Sequence, residues 1–209
     1  MNRFLKLAAV AIASSLLIAC AHDIAVPAAN PTNIYSDSDK KIPGKFSYSV
    51  DASTLYKFKA SNALQGYVCA AHIYPIDGAS AFATSIPTML AQVFQKEVTN
   101  APELKSDRTQ LLFKIERFEP RMRVTQGLFS ADANATVELA ISVIGSRNNS
   151  RIFGTTVDTQ RTKTGSAGPF CNDAGTVLAD ATKDAIKDVL EKIGERMANS
   201  QSLKSGFRK

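Results

Sequence analysis

The sequence predicts an α+β fold: a two-layer sandwich whose four-stranded, mostly antiparallel sheet carries two helices on one face, in the order β-α-β-β-β-α. Three observations predict it. Ala133, Ala135, Val137, Leu139, Ile141 and Val143 alternate with Asn134, Thr136, Glu138, Ala140 and Ser142, the period-2 pattern of a strand with one buried face. Leu178, Ala181, Ala185, Ile186, Val189, Leu190, Ile193 and Met197 recur at steps of three and four, opposite a belt of Asp, Glu and Lys. A second such stripe runs through Phe82, Ile86, Met89, Leu90 and Val93. Two amphipathic helices each need an apolar surface, and a sheet with one apolar face supplies it.

In chain order, the folded domain is expected from 46 to 199. Phe46, Tyr48 and Val50 alternate with Ser47 and Ser49, and Leu55, Tyr56 and Phe58 follow the turn-prone Asp51-Ala52-Ser53, suggesting a small leading hairpin. Gly66 to Tyr74 is an apolar run bounded by Gly66 and Pro75 and reads as a buried strand. Asp77 and Gly78 open a helix over about Ser80 to Val98. Pro87 either sits at the first position of its main part or kinks it.

A strand follows through Leu111, Phe113 and Ile115 to about Phe118. After the long alternating strand, Gly145 to Ser150 is turn chemistry, with a return strand from Arg151 through Thr159. The first strand must cross over its helix to reach its neighbour, so one parallel pairing is expected in an otherwise antiparallel sheet. The last helix carries Asp184–Lys187 and Asp188–Lys192 as exposed pairs. Residues 200–209, with Lys204, Arg208 and Lys209, read as a frayed basic tail.

Ahead of the domain, Arg3 and Lys6 precede an uncharged run from Leu7 to Ala19, the pattern of a secretory signal peptide over 1–19. The run is short for a bilayer crossing, which takes about 20 residues. It ends in Leu17-Ile18-Ala19-Cys20, which matches the bacterial lipobox. That resemblance implies a diacylglyceryl thioether on the Cys20 sulfur, cleavage after Ala19 and acylation, including palmitate, of the new amine. Residues 20–45 then read as the lipidated cysteine and a flexible tether. Pro27, Pro31 and Pro43 punctuate a polar stretch with no apolar period. Enteric lipoproteins with aspartate after the cysteine are retained at the inner membrane. Ala21 therefore resembles the outer-membrane class, with the domain facing the periplasm.

With Cys20 taken by lipid, Cys69 and Cys171 remain as a candidate disulfide in an oxidising compartment. Free buried thiols are the alternative. Cys69 and His72 also stand at Cys-x-x-His ligand spacing, with Cys171 as a third candidate ligand, but no fourth accompanies them, so no metal is expected.

Loss of Arg3 and Lys6 with the signal lowers the formal charge from +6 to +4. A mild charge spread along the chain is not the clustered basic footprint of nucleic-acid binding. The sequence contains no Gly-x-Ser-x-Gly elbow, no phosphate-binding Gly-rich loop and no His-Glu-x-x-His or Cys-x-x-Cys motif. With only His22 and His72 as histidines, no catalytic residue is assigned, no cofactor is expected, and the chain reads as non-catalytic.

One stretch has the composition of a binding surface. Between Glu119 and Ser130, the residues Arg121, Arg123, Leu128 and Phe129 combine cations with apolar anchors. Either this is a long loop that contacts an anionic or protein partner, or the two strands continue through it and turn near Gly127. Lipobox, tether and domain order together resemble the small envelope lipoproteins of Gram-negative bacteria. These include the lipopolysaccharide-assembly, YajG-type and ABC-transport auxiliary lipoproteins. The resemblance implies a membrane-anchored, non-catalytic adaptor or assembly factor with an envelope protein partner. The second reading is a carrier or chaperone for lipid or another hydrophobic ligand, which would need an apolar cavity between helices and sheet.

Overall fold

The structure, a computed structural model, describes residues 20–61, 63–101, 107–127 and 130–205. Residues 1–19, where the signal peptide is expected, and residues 206–209 lie outside it, as do Leu128 and Phe129. The chain opens with two short strands, β1 (Cys20–Ala21) and β2 (Ile24–Ala25). A long irregular stretch then leads to β3 (Phe46–Val50), a 3-10 segment (Ala52–Phe58) and the two-residue strands β4 (Lys59–Ala60), β5 (Leu64–Gln65), β6 (His72–Ile73) and β7 (Ile76–Asp77). Helix α1 (Ala79–Val93) and strand β8 (Thr99–Asn100) follow. Three long strands come next: β9 (Thr109–Gln126), β10 (Ala131–Arg147) and β11 (Ser150–Ser166). Helix α2 (Ala174–Ala198) and the short α3 (Gln201–Ser205) close the chain.

The fold is α+β, but its main sheet has six strands rather than four. Its order is β11-β10-β9-β3-β8, with β5 added alongside the far half of β9. The expected parallel crossover is present with a different first strand: β3, not the 66–74 run, pairs in parallel with β9 after the chain has passed through α1. The 46–58 region is accordingly no hairpin. Its strand enters the sheet, and its second half coils as a 3-10 turn capped by the Asp51 carboxylate on the Ser53 amide. Residues 66–71 turn back on themselves, with Tyr67 97% exposed. Cys69 sits at φ 63°, a left-handed conformation that a strand cannot accommodate.

The sheet core follows the alternation. Leu111, Phe113 and Ile115 point inward with Ala133 to Val143, but further along β9 the inward residues are Phe118, Met122 and Val124. The change of parity is a β-bulge: Ile115 faces Ile141 and Arg117 faces Ala140, so Glu116 is the extra residue. A bulge of this kind keeps both apolar halves of one strand on the same face. Helix α2 lies across β10 and β11 with its predicted stripe buried. Helix α1 packs beside it and places Phe82 against Phe58 and Phe113. It runs unbroken through Pro87. The lost amide bond of Pro87 is a local cost within a helix held by Phe82, Ile86, Met89 and Leu90, all at most 1% exposed.

The charge belt of α2 works differently from the exposed pairs expected of it. Asp188 accepts from Lys192 at 2.8 Å, as predicted, and also from Thr159 and Arg161 of β11. Asp184 takes Lys163 of β11 at 2.8 Å rather than Lys187. These contacts tie the helix to the sheet's edge strand.

The largest departure concerns residues 24–42, expected as a tether. This segment is a strap laid in the groove between α1 and α2. Ile24 pairs with Ile76 and packs against Gly175 at the start of α2. The Ala29 amide donates to Ser85 Oγ of α1 at 2.8 Å, and the Asn33 amide to Glu191 of α2 at 2.9 Å. Ile34 occupies the space left by Gly194, and the Asp37 amide donates to Asn199 beyond the helix end. Ile42, 2% exposed, exchanges backbone bonds with Val93 and Gln95. Five spaced apolar residues (Ile24, Val26, Ala29, Ile34, Ile42) are enough to hold an extended chain in an apolar groove, although they follow no period. The expected frayed tail over 200–209 is helical at Gln201–Ser205, with Leu203 of α3 fully buried.

Candidate functional site

The elements converge at one end of the molecule around the Cys69–Cys171 disulfide, whose Cα atoms are 6.0 Å apart across 102 residues. Both half-cystines are left-handed, at φ 63° and 65°, as is Phe170 at 56°. For residues with a side chain such backbone costs energy and persists where surrounding bonds over-determine it. Those bonds are present. The His72 amide donates to Cys69 O, closing one turn, and the Cys171 amide donates to Gly168 O, closing the other. Gly168, at φ 68°, sits so close to Asp173 that a Cβ there would collide with its carboxylate. Tyr74, fully buried beneath, donates its hydroxyl to Cys171 O at 2.7 Å, and burial raises its phenol pKa.

The start of the described chain docks on this clasp. Cys20 and Ala21 pair in parallel with His72 and Ile73, and the His22 amide donates to Ile73 O at 2.8 Å. His22 Nε2 and His72 Nδ1 are 2.7 Å apart, so one nitrogen carries the shared proton and the other accepts it. The His22 ring stacks on His72 and on Tyr74 with centroids 5.0 and 5.3 Å apart. Neither histidine is alone, contrary to what their positions in the sequence suggest. The disulfide uses both thiols of the Cys-x-x-His alternative, and among the described residues no three His, Cys, Asp or Glu side chains cluster as metal ligands.

The proposed binding residues fall on a hairpin. β9 and β10 run on to Gln126 and Ala131, and the Gly127 amide bonds to Ser130 O at 2.7 Å. The continuous-strand alternative is therefore the one adopted, and the 119–130 stretch is not a long loop. Arg121 lies on the sheet face away from the helices, engaged by Glu119 at 2.6 Å and Glu138 at 3.1 Å. Arg117 joins the same network through Glu138 at 3.8 Å and brings in Asp158 of β11 at 2.5 Å. Arg123 is exposed and has no ion-pair partner among the described residues. Leu128 and Phe129 lie outside those residues.

An open hollow of about 620 Å³ separates this tip from the clasp, lined in part by Gln126, Ser130, Val68 and Phe170. Between helices and sheet, by contrast, the space is filled by Val137, Leu139, Ile141, Leu178, Ile186 and Val189, all fully buried. Among the described residues no helix is long and apolar enough to cross a membrane.

No family model matches the chain, and no curated protein sequence does. Several solved structures show a similar arrangement. A minor lipoprotein from Acinetobacter baumannii is 13% identical, with 76% of this chain and 93% of that one covered at a TM-score of 0.45. A DUF330 protein from Xanthomonas campestris is 11% identical, covering 85% and 94% at 0.46. A candidate lipoprotein from Caulobacter crescentus is 15% identical, covering 58% and 80% at 0.37. These values mark partial likeness of shape, and each description belongs to its own protein.

Proposed function

We propose that this chain is an envelope lipoprotein, held at the outer membrane by lipid on Cys20, whose periplasmic domain acts as a non-catalytic adaptor or assembly component of a larger complex. The observation that carries the reading is Leu17-Ile18-Ala19-Cys20 at the end of an uncharged run, with the Cys20 backbone held at the clasped end of the domain. The disulfide fits the oxidising compartment that such processing implies. The filled interface between helices and sheet favours an adaptor over a carrier of hydrophobic ligand, since a carrier needs an apolar cavity there. The partner-facing surface is the outer sheet face of the hairpin arm, which carries Arg121 and Arg123, together with the Leu128-Phe129 stretch that follows β9 in the sequence.

Two measurements test this. Labelled palmitate should enter the wild-type chain and be absent from Cys20→Ala; label retained in the variant overturns the lipid assignment. In-cell crosslinking should capture an envelope protein, and the combined substitution of Arg121, Arg123 and Phe129 should abolish that complex with the fold intact. An unchanged complex removes the hairpin as the docking surface.

A further inference from the structure

We propose that the clasped end is a membrane-contact face, with Tyr67 and Phe170 entering the headgroup region of the same bilayer that holds the Cys20 lipid; this rests on the lipid assignment above. The first observation is position. A lipid on Cys20 would leave the domain beside His72, three residues from Cys69 and through the disulfide adjacent to Phe170. No free length of chain separates anchor and domain, because pairing begins at Cys20 itself.

The second observation is what this end displays. Tyr67 is 97% exposed and Phe170 85%, and Ile73, exposed on the strand that pairs with Ala21, adds to them. Among the described residues neither aromatic ring stacks on another. Both rings are carried on backbone that left-handed residues hold in place: Gly66 beside Tyr67, and Phe170 itself between Gly168 and Cys171. A soluble surface gains nothing from apolar rings presented on strained turns. At a bilayer surface aromatic side chains are favoured, and the headgroup layer covers their apolar area. Among the described residues, the charged side chains near this end include Asp23, Asp132, Asp173 and Arg123, more acidic than basic. Contact is therefore directed at the headgroup–acyl boundary in general, not at anionic lipid, and is expected to be insensitive to salt.

The chain contains no tryptophan, so a single introduced indole reports without background. Full-length protein purified with its lipid is reconstituted into phosphatidylcholine vesicles as Phe170→Trp, Tyr67→Trp and Tyr35→Trp. Tyr35 is also exposed but lies at the opposite end, its carbonyl accepting from Asn199 beyond the C-terminus of α2. The expected result is a blue shift and loss of most emission to brominated phosphatidylcholine at positions 170 and 67, unchanged in high salt, with neither effect at 35. Unquenched emission at 170 and 67 in vesicle-bound protein overturns the contact face while leaving the anchor standing. A blue shift without quenching marks a protein contact at that end and also overturns it. Protein that carries no palmitate and does not bind vesicles overturns the lipid assignment itself, a failure read separately by mass.

Discussion

His22 Nε2 lies 2.7 Å from His72 Nδ1, although fifty residues separate them in the chain. The contact joins the first described residues to the disulfide clasp and, with the pairing of Cys20 to His72, decides how the domain begins.

Replacing His72 with alanine removes the imidazole contact and the ring that His22 stacks on. A hydrogen bond of this kind contributes about 1 kcal/mol, so the His22 and Ile24 amides should exchange roughly fivefold faster in the variant. Hydrogen exchange followed by mass spectrometry checks this, and unchanged exchange at those amides would mean the backbone pairing alone holds the segment.

The disulfide closes a loop of 102 residues across the sheet core. Cys69→Ser with Cys171→Ser should lower stability by about 2–5 kcal/mol. The wild type under reductant should unfold at the same denaturant midpoint as the double variant. Coincidence of those two curves is the decisive reading, because it assigns the loss to the bond and not to the serines.

Asp188 makes acid stability specific. Its side chain is 13% exposed; desolvation raises its pKa, but hydrogen bonds from Lys192, Thr159 and Arg161 outweigh that and hold it below the usual carboxylate range. A depressed folded pKa gives stability that is fully present above the unfolded value of about 3.9 and is lost as pH falls through the folded value. Asp188→Asn should cost about 1–3 kcal/mol at neutral pH, and its deficit against wild type should close below about pH 4. Denaturant titrations across that range test both the size and the sign.

Gly194 leaves room for Ile34 of the strap: a Cβ there would stand 2.5 Å from Ile34 Cδ1. Alanine can be met by a small swing of that flexible end, but Gly194→Phe cannot. The larger variant should expel the strap, cost about 1–3 kcal/mol, and open the 34–41 stretch to limited proteolysis while the sheet stays resistant. Resistance throughout would mean the strap does not depend on that notch.

Legibility in the sequence followed periodicity. Strand β10 and helix α2 each bury one face against a continuous neighbour, so Ala133 to Val143 and Leu178 to Met197 announced themselves. The strap did not, because an extended chain in a groove is gripped wherever a pocket occurs; Ile24, Val26, Ala29, Ile34 and Ile42 fit neither the strand period nor the helical one. The 66–74 run misled for the opposite reason. Its apolar residues suggest burial in a sheet, whereas a crosslink and two left-handed turns leave Tyr67 exposed and only Tyr74 of the run fully buried. The bulge at Glu116 was visible only as a change of parity between Ile115 and Phe118. The histidine pair had no sequence signal, since two-residue parallel strands leave no pattern. Of the binding residues, Arg121 reads in the sequence as a cation for an anionic or protein partner, and in the fold it is held by two carboxylates of its own sheet.

The strap also sets a reach. It follows α2, whose 25 residues span about 37 Å, so a chain fastened at Cys20 as proposed would have the height of a post and almost none of the swing of a leash. A protein meeting the far end, around Tyr35 and Lys41, would have to stand about that far from the bilayer, and one meeting the hairpin tip would have to come down to it.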